Sequence, residues 1–156
     1  MALTRTRIAG LSLSAAALVG IATHEGFRDR AYQDAVDVTT IGFGTTEGVK
    51  QGDKITVERA LVRLLADTQK HQQAMVACLP GVELHQHEFD AFASLAYNIG
   101  TGAFCRSTLA KRLRSGDYEA ACREILKWDY AGGKRLAGLT KRRQAEYQQC
   151  MGVSHG

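Results

Sequence analysis

Glu25, Asp34 and Thr40 follow one another at intervals of nine and six residues within the stretch HEGFRDRAYQDAVDVTTIGFG, His24 to Gly44. An apolar run from Ile8 to Thr23, without Pro or charge, leads into His24-Glu25-Gly26, and Thr40 is followed by Ile41-Gly42-Phe43-Gly44. Two carboxylates and a hydroxyl thus lie around a helix end and a glycine-punctuated turn. Breaking a sugar–sugar bond asks for such a set: an acid for the leaving oxygen, an anion facing the developing oxocarbenium ion, and a group that orients water. A general acid must hold its proton near neutrality, which calls for a partly desolvated site. Taken singly, the same residues read as a surface Glu, a turn Asp and a strand Thr.

The elements that would position them follow from the pattern. Leu11, Leu18 and Glu25 recur every seven residues, so Glu25 ends an apolar helical stripe and faces a cleft. From Val36 to Lys54, β-branched and aromatic residues between glycines predict a small antiparallel hairpin or three short strands. Thr56 reads as an N-cap, with Glu58 in the first turn and Ala60, Leu61, Leu64 and Leu65 at helical spacing. That helix should run to about Cys78 and stop at Leu79-Pro80-Gly81. The remainder predicts helices: one with Phe89, Phe92, Leu95 and Ala96 on its apolar face, ended by Asn98-Ile99-Gly100, then Ser107 to Arg114, Asp117 to Trp128, and Thr140 to about Met151.

A chain of 156 residues, 45% hydrophobic and with a single Pro, suits one globular domain or two lobes sharing a helix. Its net charge of +4 fits an anionic partner. The basic residues are scattered apart from Lys141-Arg142-Arg143, and no aromatic-interleaved basic motif points to nucleic acid. Cys78, Cys105, Cys122 and Cys150 form no C-x-x-C pair, which leaves a zinc site without support; His85-x-His87 reads as loop surface. Four cysteines in a small chain suit an oxidising compartment and hence a route out of the cytoplasm.

The interval Glu, eight residues, Asp, five residues, Thr resembles that of the phage-type lysozymes, glycoside hydrolase family 24. FDAFASLAYNIGTGAF, STLAKRLRSGDYEAA and WDYAGGKRLAGLTKRRQAE resemble the C-terminal lobe of the same family, so the likeness runs from about Gly20 to Met151. It implies an α+β, two-lobed lysozyme-like fold, in which a small β-hairpin lobe is joined by a long helix to a helical C-terminal lobe. The catalytic domain would be residues 24–156. It further implies a monomeric, cofactor- and metal-free hydrolase of the β-1,4 bond between N-acetylmuramic acid and N-acetylglucosamine in peptidoglycan. Glu25 would be the acid, Asp34 and Thr40 would hold the attacking water, and the anomeric configuration would invert.

Gly44, Asn98, Gly132 and Arg143 are candidates for substrate contact under the same resemblance. A solvated helix charge, a helix cap and a glycine turn are the alternatives for Arg143, Asn98 and Gly132. Trp128 and Tyr130 are aromatic candidates for sugar stacking, with core packing preferred for Trp128. Two positions depart from the family pattern: Thr45 stands where a His is usual and His24 where an Asp is usual, which removes an ion pair near the acid. Likeness to secreted members favours disulfides 78–105 and 122–150, although four cysteines allow three pairings. A lytic transglycosylase and a catalytically inactive wall-binding protein are the rival readings.

Arg5 and Arg7 followed by Ile8 to Thr23 form a charged start and an apolar middle, as in a secretory signal. Cleavage near Ala15 to Ala22 would strip the helix leading to Glu25, so an uncleaved anchor over residues 1–23 is the alternative. As a helix its sixteen apolar-segment residues span about 24 Å, short of the ~30 Å hydrocarbon core. Six strongly apolar residues supply only about −2 to −4 kcal/mol of insertion, before the glycines and serines subtract. Such a weak anchor resembles that of signal-arrest-release endolysins. The resemblance implies threading into the host inner membrane by the export machinery, later escape to the periplasm, and host lysis. A buried first helix is the other reading of the segment.

Overall fold

The computed structural model describes residues 4–153. The chain divides into two compact units, one formed by residues 1–17 and 71–156, the other by residues 18–70. The class is α+β, with seven α-helices and three two-stranded sheets among the described residues.

The larger unit is built around helix α3 (Gln86–Ile99), in which every residue from Glu88 to Ala96 is buried. A helix that is covered all round must be apolar or must partner each polar group it carries. Phe89, Phe92 and Leu95 supply the apolar part, packed with Met75, Leu79, Leu84, Phe104, Leu109, Leu113 and Ile125. Each such side chain contributes about 1.5–3 kcal/mol by leaving water. The three polar residues each tie down another segment: Glu88 takes both arms of Arg5 at 3.0 Å, Asp90 holds Ser14, and Ser94 donates to Glu146 of α7 (Ala137–Cys150) at 2.7 Å.

Around α3 stand α4 (Thr101–Arg106), α5 (Thr108–Arg114) and α6 (Tyr118–Glu124). Ser107 and Asp117 cap the last two, accepting from Ala110 N at 3.1 Å and Ala120 N at 3.4 Å. His85, expected on a loop, instead closes a capping box with Glu88 at the start of α3. The cysteines pair as 78–105 and 122–150, with Cα atoms 5.8 and 5.7 Å apart. By closing loops of 27 and 28 residues, each restricts the unfolded chain by about 3–4 kcal/mol.

The N-terminal segment does not form the continuous helix that its composition suggests. Strand β1 (Thr6–Arg7) pairs with β4 (Glu83–Leu84), a 3-10 turn covers Ile8–Gly10, and α1 starts only at Ala15, ending at Glu25. Polar side chains take the backbone groups that a longer helix would have used. Leu13 N donates to Gln72 Oε1 at 2.9 Å, Ser14 N to Asp90 Oδ1 at 3.0 Å, and Ser12 O accepts from Gln86 Nε2 at 2.8 Å. Ser14 Oγ donates to Asp90 Oδ2 and accepts from Ala17 N, so it starts α1. Leu11 lies outside α1, and the seven-residue stripe is broken there. No helix among the described residues is long and apolar enough to cross a membrane.

In the smaller unit, β2 (Arg28–Gln33) and β3 (Thr39–Gly42) form an antiparallel hairpin with Tyr32 opposite Thr40. Backbone bonds from Ala31 N to Asp53 O and from Ile55 N to Asp29 O add a third extended segment. Helix α2 (Val57–Cys78) starts beside Thr56, whose hydroxyl accepts from Arg59 N. It ends ahead of Leu79-Pro80-Gly81, as expected. Gly42 lets β3 approach it: a side chain there would begin 3.0 Å from Ala60 Cβ.

Candidate active site

Glu25 is the last residue of α1 because Gly26 adopts φ +71° and returns its N–H to Ala22 O at 2.9 Å, a left-handed stop only glycine takes at no cost. The chain then reverses into β2. After β3 comes a tight turn in which Ile41 and Thr45 exchange both backbone hydrogen bonds, at 2.9 and 3.0 Å. Gly44 lies in that turn with φ +86°, and a Cβ placed on it would stand 2.9 Å from Glu25 Oε2. The Glu25 carboxyl therefore backs directly onto the turn that follows β3. Gly44 matters for what it lacks, since any side chain would displace that carboxyl.

Asp34 occupies the β2–β3 connection. Its Oδ1 accepts from Val36 N and Val38 N, both at 2.9 Å, and its backbone closes the hairpin through Val38 O. Two converging N–H groups fix the carboxylate's orientation. Its Oδ2 accepts no protein hydrogen bond among the described residues. The turn is tight enough to hold Asp37 at φ 60°. Thr40, on β3 and 4% exposed, donates its hydroxyl proton to Val38 O at 2.9 Å. The Asp34 carboxylate and the Thr40 hydroxyl thus share one organising residue, Val38, whose N–H serves the first and whose carbonyl serves the second.

Thr45, where the family pattern has a His, is 1% exposed and donates to Asp67 Oδ2 of α2 at 2.9 Å. A hydroxyl–carboxylate bond thus occupies that position. Asp67 was not singled out from the sequence, since a polar residue on an amphipathic helix carries no mark of its partner.

The remaining candidates lie in the larger unit. Asn98 and Arg143 meet: Arg143 Nη2 donates to Asn98 Oδ1 at 2.6 Å. Arg143 is 0% exposed, so it is not the solvated helix charge of the alternative reading, and Gly100 rather than Asn98 caps α3. Arg143 Nε lies 2.7 Å from Glu146 Oε1 and Arg142 Nε 3.7 Å from Oε2, the oxygen that also accepts from Ser94. Burial raises the Glu146 carboxyl above its ordinary range, against Arg143, the Ser94 hydroxyl and Arg142, which lower it. Glu146 was also missed, although Arg142 and Arg143 stand four and three residues before it, the spacing of helical ion pairs. Trp128 packs on the core, Tyr130 is 58% exposed, and Gly132 forms, with Gly133, the turn of a hairpin between β5 (Tyr130–Ala131) and β6 (Lys134–Arg135).

Known proteins are similar to this chain in sequence and architecture. A family model described as phage lysozyme matches residues 22–146. An endolysin of Acyrthosiphon pisum secondary endosymbiont phage 1 is 43% identical over 140 residues, covering 87% of this chain and 95% of that protein. A SAR-endolysin of Pseudomonas phage phiKMV is 35% identical over 141 residues, covering 88% and 87%. The endolysin from Escherichia coli O157:H7 phage FAHEc1 superposes with a TM-score of 0.83 at 34% identity, covering 94% of this chain and 98% of that one.

Proposed function

Since this chain belongs to the phage lysozyme family, and with it to the cell-wall-lytic glycoside hydrolases, we propose that it cleaves the β-1,4 bond between N-acetylmuramic acid and N-acetylglucosamine. Glu25 protonates the leaving oxygen. Asp34 and Thr40 hold the water that attacks from the opposite face, so the configuration inverts. The observation that supports this most is the Glu25 carboxyl seated against the turn after β3, the strand that carries Thr40. The hydrogen bonds support a specific water. Thr40 spends its proton on Val38 O and Asp34 Oδ2 is an open acceptor, so both groups accept. A water donating one hydrogen bond to each presents its lone pair to the anomeric carbon; as its oxygen bonds there and the bond to the leaving oxygen breaks, Asp34 takes the water's proton while Glu25 gives its own to the leaving oxygen. A lytic transglycosylase has no use for that arrangement. Digested peptidoglycan should therefore show new reducing ends and no 1,6-anhydro sugars; anhydro products as the main species would assign the transglycosylase reaction instead.

We further read residues 8–23 as a transient inner-membrane anchor, inactive while inserted and active in the periplasm after release. In a bilayer the segment must close its own backbone bonds as a helix. In the folded chain Leu13, Ser14 and Ser12 give theirs to Gln72, Asp90 and Gln86. Insertion and folding thus compete for the same groups. Asp90→Ala leaves the anchor's composition untouched but removes its two contacts with Ser14, each worth about 1.5–3 kcal/mol for a charged acceptor. The membrane-bound share should rise at least tenfold over wild type on fractionation. An unchanged distribution would argue against the competition. An active mature protein cut between Ala15 and Thr23 would identify a plain signal peptide.

A further inference from the structure

Asp37, at φ 60°, is the one non-glycine residue with a positive φ among the described residues, and it lies in the turn that carries Asp34. Side chains enter that left-handed region at a cost; Gly enters it freely, and Asn and Asp with the least penalty of the rest. The Asp37 side chain does not account for the exception, because it is exposed and makes no hydrogen bond or ion pair among the described residues. The backbone does. Asp34 O accepts from Asp37 N at 3.1 Å, and Asp34 N donates to Val38 O at 3.0 Å. A four-residue turn followed by one left-handed residue is a three-residue hairpin connection, and that last residue decides where the next N–H points. Here the next N–H belongs to Val38, and it reaches Asp34 Oδ1 at 2.9 Å.

Val38 is the residue on which both water-holding groups depend. Its N–H joins that of Val36 on Asp34 Oδ1, and its carbonyl takes the Thr40 proton at 2.9 Å. With Oδ1 occupied twice, Oδ2 is the oxygen left to receive the proton of the attacking water. A negative φ at Asp37 would swing the Val38 N–H away. Asp34 would then keep a single backbone donor and could turn about its side-chain bonds, so that Oδ2 and the Thr40 hydroxyl no longer faced one water. The pairing of the strands does not require this detail. Tyr32 stands opposite Thr40 and Gln33 opposite Thr39, which sets the register on the strand side of the turn. The left-handed residue therefore serves the aim of a carboxylate more than the existence of the hairpin.

We propose that Asp37 is a positioning residue for the hydrolysis: its left-handed backbone aims the Val38 N–H at Asp34 Oδ1 and so keeps Oδ2 for the attacking water. The inference rests on the lysozyme reading and adds to it a residue that acts only through Val38 and Asp34. The test measures kcat and KM of the full-length protein on soluble glycan strands, together with the NMR resonance of the Val38 amide proton. Asp37→Val places a β-branched residue where the left-handed region is closed to it. It should lower kcat at least tenfold, a part of what a positioned base supplies, with KM within twofold of wild type. Asp37→Gly and Asp37→Asn tolerate the conformation and should restore kcat. The Val38 amide proton, bonded to a carboxylate, should resonate downfield in wild type and in Asp37→Gly, and move upfield in Asp37→Val. A loss of stability alone would leave that resonance of the folded protein in place. Should Asp37→Val not fold, Asp37→Ala carries the same comparison. A folded valine or alanine variant that keeps kcat within twofold of wild type, or keeps the downfield amide, would overturn the proposal. A tenfold loss in Asp37→Gly would overturn it too, because the effect would then belong to the carboxylate. Each of these outcomes leaves the lysozyme reading standing, whereas a wild type that shows the downfield amide but cuts no glycan would refute that reading and this role with it.

Discussion

Glu25→Gln should fold as wild type does and lose wall lysis by about 10²–10⁴-fold, the usual contribution of a positioned acid. Gln fills the same space beside the Gly44 turn, where the Glu25 carboxylate oxygen lies 2.9 Å from the position of a Cβ. The amide has no proton to give a leaving oxygen at neutral pH, so the loss should fall on kcat, with binding of wall fragments retained. Turbidity clearing of permeabilised cells reads the rate, and circular dichroism checks the fold. Turnover within tenfold of wild type would remove Glu25 from the acid role. Loss of the fold would show instead that the carboxyl serves the turn, and Asp34→Asn, on the far side of the hairpin, would then carry the test.

Glu146→Ala should destabilise the protein by about 3–5 kcal/mol, the cost of removing one partner from a buried ion cluster. The carboxylate is shared by Arg143 at 2.7 Å, Arg142 at 3.7 Å and the Ser94 hydroxyl at 2.7 Å, and all but Ser94 lie on α7. Without it, two buried guanidiniums lose their common counter-charge, and α3 loses a tie to α7. At ~2–4 °C per kcal/mol for a chain of this size, the melting midpoint should fall by about 10 °C. Glu146→Gln keeps an acceptor for Ser94 and should fall between the two. A midpoint for the alanine variant within 2 °C of wild type, by the same scale, would mean the cluster contributes little.

What the residues alone disclosed was decided by local physics. The stop of α2 at Leu79-Pro80-Gly81 and the starts of α5 and α6 at Ser107 and Asp117 depend on backbone chemistry within a few residues. The intervals of Glu25, Asp34 and Thr40 were legible for a similar reason: one helix end and one hairpin carry all three. What escaped was settled at a distance. Strand β2 reads RDRAYQ, with no apolar alternation, and is held by backbone pairing to residues 39–55. The break at Leu11–Ser14 depends on Gln72, Gln86 and Asp90, some sixty to seventy-five residues on. Strands β5 and β6 are two residues each, too short for any periodicity. Asp129, buried at their base with its carbonyl accepting from Leu136 N, looks in sequence like any loop aspartate.

The most direct measurement of the central claim is the anomeric form of the first product, followed by proton NMR in the first minutes of digestion before mutarotation mixes the signals. A water held by Asp34 and Thr40 attacks the face opposite the leaving oxygen, so the newly exposed reducing sugar should appear as the α anomer. An initial β anomer would contradict this account, because it requires two displacements and a covalent intermediate on a carboxylate such as Asp34.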